Sequence, residues 1–442
     1  MTVNNLFFEH AWQIKAELKD QPFSVKRFGK ISSVVGTVVE CTGIEASIGE
    51  SYSIRTTTGK KVTAEVVGLK KGSRFLIPYD RVDGIKSGCL VEKLGHTLSI
   101  PAGFEMLGRV VDANAEPIDN LGSISCKERI PVHNNPPAPL DRQQIDEVMH
   151  TGIRAIDTLN TLGNGQRLGL FAGSGVGKSV LLGMIAKHSA ADVNVIALVG
   201  ERGREVQEFV TESLGKEGLA RSVVVAVASD MAAMSRIKGA FTATAIAEYF
   251  RDQGKNVLLM MDSVTRVAMA QREIGLASGE PPTTKGYTPS VFAILPKLLE
   301  RAGKTSAGSI TALYTVLVDN DDMNEPIADA VRSILDGHIV LSRRLAHRNH
   351  YPAIDILQSV SRVMPKIISN KQRAISMKAR EILATYREAE DLINIGAYVK
   401  GSNPKIDEAI KKNPNLESFL IQDLNEADFS DDLWESLQKI IQ

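Results

Sequence analysis

The chain has 442 residues, 43% of them hydrophobic, enough to bury more than one core. Lysine plus arginine and aspartate plus glutamate both number 52, so overall charge gives no reason to expect a polyanion-binding protein. Three cysteines, Cys41, Cys89 and Cys126, are odd in number and lack Cys-x-x-Cys spacing, which argues against a disulfide framework or zinc site and fits a reducing compartment.

The N-terminus shows no basic region followed by an apolar core of about 7–15 residues, and no later apolar run approaches ~20. The sequence therefore reads as a cytoplasmic protein whose membrane association would come through partners. Within residues 1–25, Phe7, Ala11, Ile14 and Leu18 recur at helical spacing and Pro22 ends the run, which predicts an amphipathic helix. It could pack on its own domain or dock onto another protein.

Residues 26–100 change texture. Short β-branched runs such as Val34–Val39 and Val62–Val67 alternate with glycines, which predicts a small β-barrel. From residue 29 to 100 only Tyr52, Phe75 and Tyr79 are aromatic, few for stacking bases. An oligomerising barrel is favoured over an RNA-binding one.

Gly103–Asp119 reads as a bridge and Pro131–Pro139 as a stiff proline-rich crossing. Within 101–366, Val195–Gly200, Ser222–Ala228 and Asn256–Asp262 are continuous apolar runs, the pattern of parallel strands buried on both faces. That predicts an α/β domain. Residues 367–442 are charged and helix-patterned at 374–384, 404–412 and 428–441, which predicts a helical domain.

The chemistry concentrates first at Arg167–Leu182. A short apolar strand feeds Ala172-Gly-Ser-Gly-Val-Gly-Lys-Ser and then an apolar helix pattern. In such a phosphate loop the backbone N–H groups of Gly173, Ser174, Gly175, Val176, Gly177 and Val180 cradle phosphate oxygens. Lys178 reaches the terminal phosphates, and Ser179 can ligate magnesium. Ala172 replaces the first glycine of the strict motif, and the immediate Lys-Ser argues against a dinucleotide fingerprint.

Asp262 ends an apolar run, where an open α/β sheet places its ligand, and suits the acid that organises magnesium; it could also cap the following helix. Glu201 ends another such run and could activate the water that attacks a γ-phosphate, or be a surface charge. Gly279–Pro289 is too rich in Gly, Pro and Thr for a regular element.

Gly200-Glu-Arg-Gly-Arg-Glu-Val-Gln-Glu-Phe, Asp262-Ser-Val-Thr-Arg-Val-Ala, Tyr351-Pro-Ala-Ile-Asp-Ile-Leu and Ser359-Val-Ser-Arg-Val-Met-Pro resemble the signatures of type III secretion export ATPases. That family is a branch of the rotary F-type and V-type ATPases, and the chain is most similar to its flagellar members. The resemblance implies a RecA-like phosphate-loop ATPase core behind a small N-terminal β-barrel, followed by a C-terminal helical domain. It implies ATP and Mg2+, with Lys178, Ser179 and Asp262 at phosphate and metal and Glu201 as the catalytic carboxylate. Arg202 would hold the γ-phosphate region, Tyr351 would pack on adenine, and Arg362 would be an arginine finger inserted into a neighbouring subunit.

The same resemblance implies a homo-hexamer whose pore, near Gly279–Pro289, receives a central-stalk coiled coil. A regulator or peripheral-stalk protein would bind the N-terminal helix, an export gate would lie at the inner membrane, and the C-terminal helices would meet substrate–chaperone complexes. No direct nucleic acid is expected. The nearest rival is the ATPase of a virulence-type secretion system, followed by a rotary synthase subunit, a hexameric RNA translocase and a non-catalytic scaffold.

Overall fold

The computed structural model describes residues 27–94, 98–318, 322–424, 426 and 432–442. The expected helix within residues 1–25 lies outside them. The chain divides into two compact units, Met1–Ile77 with Val82–His96, and Pro78–Arg81 with Thr97–Gln442.

The first unit contains six strands closed into a barrel, β1 (Phe28–Val35), β2 (Val38–Thr42), β3 (Ser51–Arg55), β4 (Lys61–Lys70), β5 (Ser73–Pro78) and β6 (Leu90–Lys93), in the spatial order β1-β2-β5-β4-β3-β6. Alternation fixes which face is inside. On β4, Val62, Ala64 and Val66 point inward and join Ile31, Val39, Ile54, Leu76 and Val91 in one core. Closure leaves no unpaired sheet edge. Tyr52 belongs to that core, with its hydroxyl donating to the Glu45 carbonyl at 2.6 Å, so its ring is buried away from any stacking base.

The second unit opens with β7 (Ser99–Ala102), which pairs with β9 (Glu128–Pro131), and with β8 (Arg109–Val111). The segment expected to be a mere bridge thus supplies β8 as an edge strand of the main sheet. Three residues are too short to show periodicity. Residues 133–138 carry no regular element, as the prolines predict. β10 (Val148–Met149) pairs with β11 (Leu162–Gly163), which flank α1 (Arg154–Leu159).

The main sheet contains β12 (Arg167–Ala172), β13 (Val193–Glu201), β14 (Ser222–Ala228), β15 (Asn256–Asp262), β17 (Ser309–Leu317), β18 (Gly337–Leu341) and β19 (Val360–Ser361). A short β16 (Gly303–Lys304) pairs with β17 off the main path. Their order among the described residues is β19-β18-β12-β17-β15-β13-β14-β8, with parallel pairing from β18 through β8. The apolar runs are buried on both faces, with helices packed against them. Helices α2 (Lys178–His188), α3 (Gly203–Glu208), α4 (Ala233–Asp252) and α5 (Val264–Ala277) follow β12, β13, β14 and β15. The C-terminal ends of these four strands, with β17 lying between β12 and β15, therefore share one rim.

Gly279–Pro289 forms only a single 3₁₀ turn, Thr284–Gly286, before the next helix. It is nonetheless tied down. Thr283 N–H donates to the Tyr287 carbonyl at 2.6 Å, and Glu280 accepts from Ser290 N–H at 3.0 Å.

The C-terminal helices α6 (Asn370–Asn394), α7 (Pro404–Leu420) and α8 (Asp432–Ile441) share their core with the sheet unit, through Ile375, Ala379, Ile382, Leu416 and Leu437 beside Ile153 and Ile156. α7 runs past Lys412 and through Pro414. Burial of Ala409, Leu416, Phe419 and Leu420 outweighs the ~3 kcal/mol that an interior proline costs. Among the described residues no helix is long and apolar enough to cross a membrane.

Candidate active site

The loop between β12 and α2 is built as its residue types require. Gly175 and Gly177 adopt φ of 76° and 83°, left-handed values that cost a side-chain-bearing residue about 1–2 kcal/mol. A Cβ on Gly177 would also come within 3.3 Å of the Tyr351 ring. Ala172 is the last residue of β12, fully buried between Leu317 and Leu341, so it belongs to the strand rather than the cradle. Val176 is buried beneath the loop. Ser174, Gly175, Ser179 and Val180 face solvent, while Gly173 is buried.

Lys178, the first residue of α2, turns toward two acids at neighbouring strand ends. Its Nζ contacts Asp262 Oδ1 and lies 3.8 Å from Glu201 Oε1. Asp262 ends β15; the peptide to Ser263 is cis. Ser263, not Asp262, caps α5 by accepting from Arg266 N–H, which leaves the Asp262 carboxylate to the cleft. Thr315 of β17 donates to Asp262 Oδ1 at 2.7 Å. The contacts found on this carboxylate thus converge on Oδ1.

Glu201 is turned inward by an irregularity in the β13–β14 register between Val199 and Glu201. Gly200 sits there with φ of 75°, and a Cβ on it would lie 2.9 Å from the Arg266 Cβ. Burial raises the Glu201 carboxyl to about 7. A hydrogen bond with Glu205 and the charge of Asp262 push the same way, against Lys178. Glu205, in the first turn of α3, is lowered chiefly by that same hydrogen bond. The shared hydrogen bond favours the protonated form of Glu201 and the ionised form of Glu205. Arg202 is largely exposed and pairs with Glu205 at 3.3 Å.

Lys178, Ser179, Glu201, Arg202 and Glu205 line one cleft of about 630 Å³ with Arg266 and Val318, and the buried Asp262 lies behind Lys178. On the other flank of the loop lies a more apolar cavity of about 440 Å³, bounded by Val180, Met184, Leu341, Tyr351, Pro352 and Leu424. A phosphate chain on the loop would reach both spaces. The flat apolar cavity suits a purine and the polar cleft suits the terminal phosphates.

Arg362 stands apart from its own loop. It follows β19, exposed, with its N–H donating to the Asp336 carbonyl at 3.0 Å and a guanidinium nitrogen 3.3 Å from the Leu335 carbonyl. Ser361 pairs with Gly337 at the start of β18, whereas Leu341, at its end, pairs with Ala172. Four strand steps separate them, about 13 Å at ~3.3 Å per residue.

The structure therefore brings together residues 173–180, Glu201, Arg202 and Asp262, sets Tyr351 on the loop's far flank, and leaves Arg362 at another edge. Sequence reasoning missed Thr315, Glu205, Leu341, Gln422 and Leu424. Only Glu205 carried a signal, lying one helical turn beyond Glu201 in the same acidic-basic motif. The donor set fits magnesium, a hard cation held by one or two protein oxygens plus phosphate and water: Ser179 offers a hydroxyl and Asp262 a carboxylate at the cleft. Among the described residues no group of three or more His, Cys, Asp or Glu side chains forms an all-protein metal cage.

A parallel sheet with a Lys-Ser phosphate loop, an acid closing the next strand but one and an apolar cavity beside the loop defines a phosphate-loop ATPase. Residues 31–95 and 152–361 match the β-barrel and nucleotide-binding domains of the ATP synthase alpha/beta family, and residues 368–439 match the T3SS EscN ATPase C-terminal domain. The "Flagellum-specific ATP synthase" of Bacillus subtilis (strain 168) is 57% identical over 407 residues, 91% of this chain and 92% of that one. The assembled ATPase EscN of the enteropathogenic E. coli type III secretion system superimposes with a TM-score of 0.88 at 47% identity, covering 94% of this chain and 100% of EscN. EscN in complex with its central stalk EscO gives 0.86 at 46% identity, with the same coverage. The chain belongs to the type III secretion export ATPases of the ATP synthase alpha/beta family.

Proposed function

We propose that this protein is the magnesium-dependent ATPase of a flagellar protein export apparatus, working as a homo-hexameric ring that energises or primes export. One observation carries the catalytic part. Glu201 and Asp262 stand at adjacent strand ends and both face Lys178 Nζ, at the mouth of the phosphate loop.

In the reaction, Lys178 exchanges its carboxylate contacts for the terminal phosphates, and backbone N–H groups of 173–180 hold the chain of phosphates in line. Once ionised, Glu201 orients the attacking water and takes its proton. Ser179 and Asp262 would hold magnesium, which neutralises charge on the β- and γ-phosphate oxygens. Arg202 steadies Glu205 beside the base. Tyr351 and Val180 enclose the adenine.

Arg362 completes the site of the next subunit. Its place about 13 Å along the sheet from its own loop supports that reading, as does the assembled state of EscN. Such fingers contribute ~10³–10⁵ in rate. The EscN–EscO complex supports a central-stalk partner, which would meet the ring near Gly279–Pro289. A regulator at residues 1–25, substrate–chaperone complexes at the C-terminal helices and an export gate at the inner membrane complete the proposed assembly. The flagellar assignment is supported by the 57% identity to the Bacillus relative.

Glu201→Gln is expected to keep ATP binding and abolish turnover; substantial residual hydrolysis would sink the base assignment. Inactive Lys178→Ala and Arg362→Ala subunits, mixed, should recover activity at interfaces joining an intact loop to an intact finger. Proven mixed rings that stay silent would refute the action in trans.

A further inference from the structure

The purine cavity has one wall from far down the chain. Gln422 follows α7, and with Asp423 and Leu424 it lines the cavity opposite Val180 and Met184. Leu424 is half exposed and lies in a short irregular segment, so something must hold that wall in place. Gln422 is 4% exposed and bonds in several directions. Its backbone N–H donates to the Tyr351 carbonyl at 2.9 Å. Its side-chain Oε1 accepts from Arg154 N–H at 3.0 Å, and Nε2 donates to the carbonyls of Gly152 and Glu426, both at 2.7 Å.

The anchorage is itself rigid. The turn at 151–153 is held by buried Asp157, which accepts from Thr151 N–H and Gly152 N–H at 3.0 Å each and from the Thr151 hydroxyl at 2.7 Å. Arg154 reaches back to the Phe419 carbonyl at 3.2 Å and pairs with Glu426. Gln422 therefore joins three segments distant in sequence: the turn before α1, the Tyr351 wall and the Leu424 wall. Both amide N–H donors and the amide oxygen are engaged by protein, so the side chain acts on the ligand through the walls rather than by reading the base.

We propose that Gln422 is a positioning residue for the nucleotide base, setting affinity for the adenosine part of ATP and ADP without touching the phosphates. This rests on the assignment of the cavity as the base site. Removing the side-chain amide unties residue 422 from the turn at 152–154 and frees Leu424; the backbone bond to Tyr351 remains but hangs on an unanchored segment, while the phosphate loop, held by β12 and α2, keeps its geometry.

The test titrates ADP and inorganic tripolyphosphate, which fills the loop without a base, into the full chain, Gln422→Ala and Tyr351→Ala. We expect Gln422→Ala to raise the Kd for ADP about tenfold, the loss expected when a buried bonding hub is removed. The Kd for tripolyphosphate should stay within about twofold, and KM for ATP should rise with kcat unchanged. Weakening by Tyr351→Ala but not by Gln422→Ala overturns the clamp and leaves the base site standing. No weakening by either overturns the base site and the clamp together. Equal weakening of ADP and tripolyphosphate shows general damage to the site and also overturns the proposal. Should Gln422→Ala not fold, Gln422→Glu keeps the size and the oxygen for Arg154 while losing both donors, and the same comparison decides.

Discussion

Thr315→Val isolates the contact that aims Asp262. Thr315 lies fully buried in β17, between the loop strand β12 and the acid strand β15. Its hydroxyl is 2.7 Å from Asp262 Oδ1 and 3.1 Å from the Met261 carbonyl. With one proton to give, the shorter, charge-assisted bond is the stronger. Valine keeps the shape and both backbone ladders, so the perturbation is the lost bond. A hydrogen bond to a charged group contributes about 1.5–3 kcal/mol, roughly 10–150-fold in an equilibrium. Lys178 also holds Oδ1 without nucleotide, but in the proposed reaction it moves to the phosphates and leaves Thr315 as the main restraint. We therefore expect the magnesium concentration for half-maximal hydrolysis to rise about tenfold, the lower end of that range. The assay is ATPase rate against free magnesium at saturating ATP, on protein whose melting curve shows it folded. Half-saturation and kcat both within about twofold of the parent would refute the role given to Thr315.

Two further outcomes follow from the same geometry. Because burial and Glu205 raise Glu201 to about 7 from its ordinary 4.5, kcat/KM, which reports the free enzyme, should climb as pH rises through that value. Glu205→Gln removes a group that raises Glu201, and the midpoint should move to lower pH; an unmoved midpoint would show that Glu201 does not set the profile. The sign for folding is opposite. Protonation of Glu201 favours the native state fully below pH 4.5, and that contribution fades as pH rises through about 7. Away from the site, Arg301 and Glu248 form a fully buried pair, with Nε–Oε1 at 2.7 Å and a second bond at 2.5 Å. Glu248→Ala strands the guanidinium and should cost about 3–5 kcal/mol, read as a large fall in the denaturant midpoint; a shift of less than about 1 kcal/mol would contradict this.

The phosphate loop was legible because its chemistry is local. Five residues between a strand and a helix fix where Lys178 and Ser179 point, and the glycines needed at φ of 76° and 83° stand in the sequence. Asp262 and Glu201 were legible as strand ends because a run buried on both faces carries no internal charged residue, so the first acid after it marks the rim. Family signatures added Arg362 and Tyr351, which spacing alone left as ordinary residues.

What the sequence by itself determined was four strands of the main sheet, β12, β13, β14 and β15, and the residues that end them. Which ends meet was decided by tertiary structure. Spatial order β12-β17-β15-β13 departs from chain order, and hydrogen-bonded neighbours in a parallel sheet leave no periodic mark tying one strand to another. Thr315 thus reaches Asp262 across 53 residues. Gln422 reaches Gly152 across 270, because burying the α7 face against α1 carries the segment after it to the cavity. Arg362 shows the reverse: its motif names it, yet only the pairing of β19 with the start of β18 sets it at the opposite end of that strand from the loop.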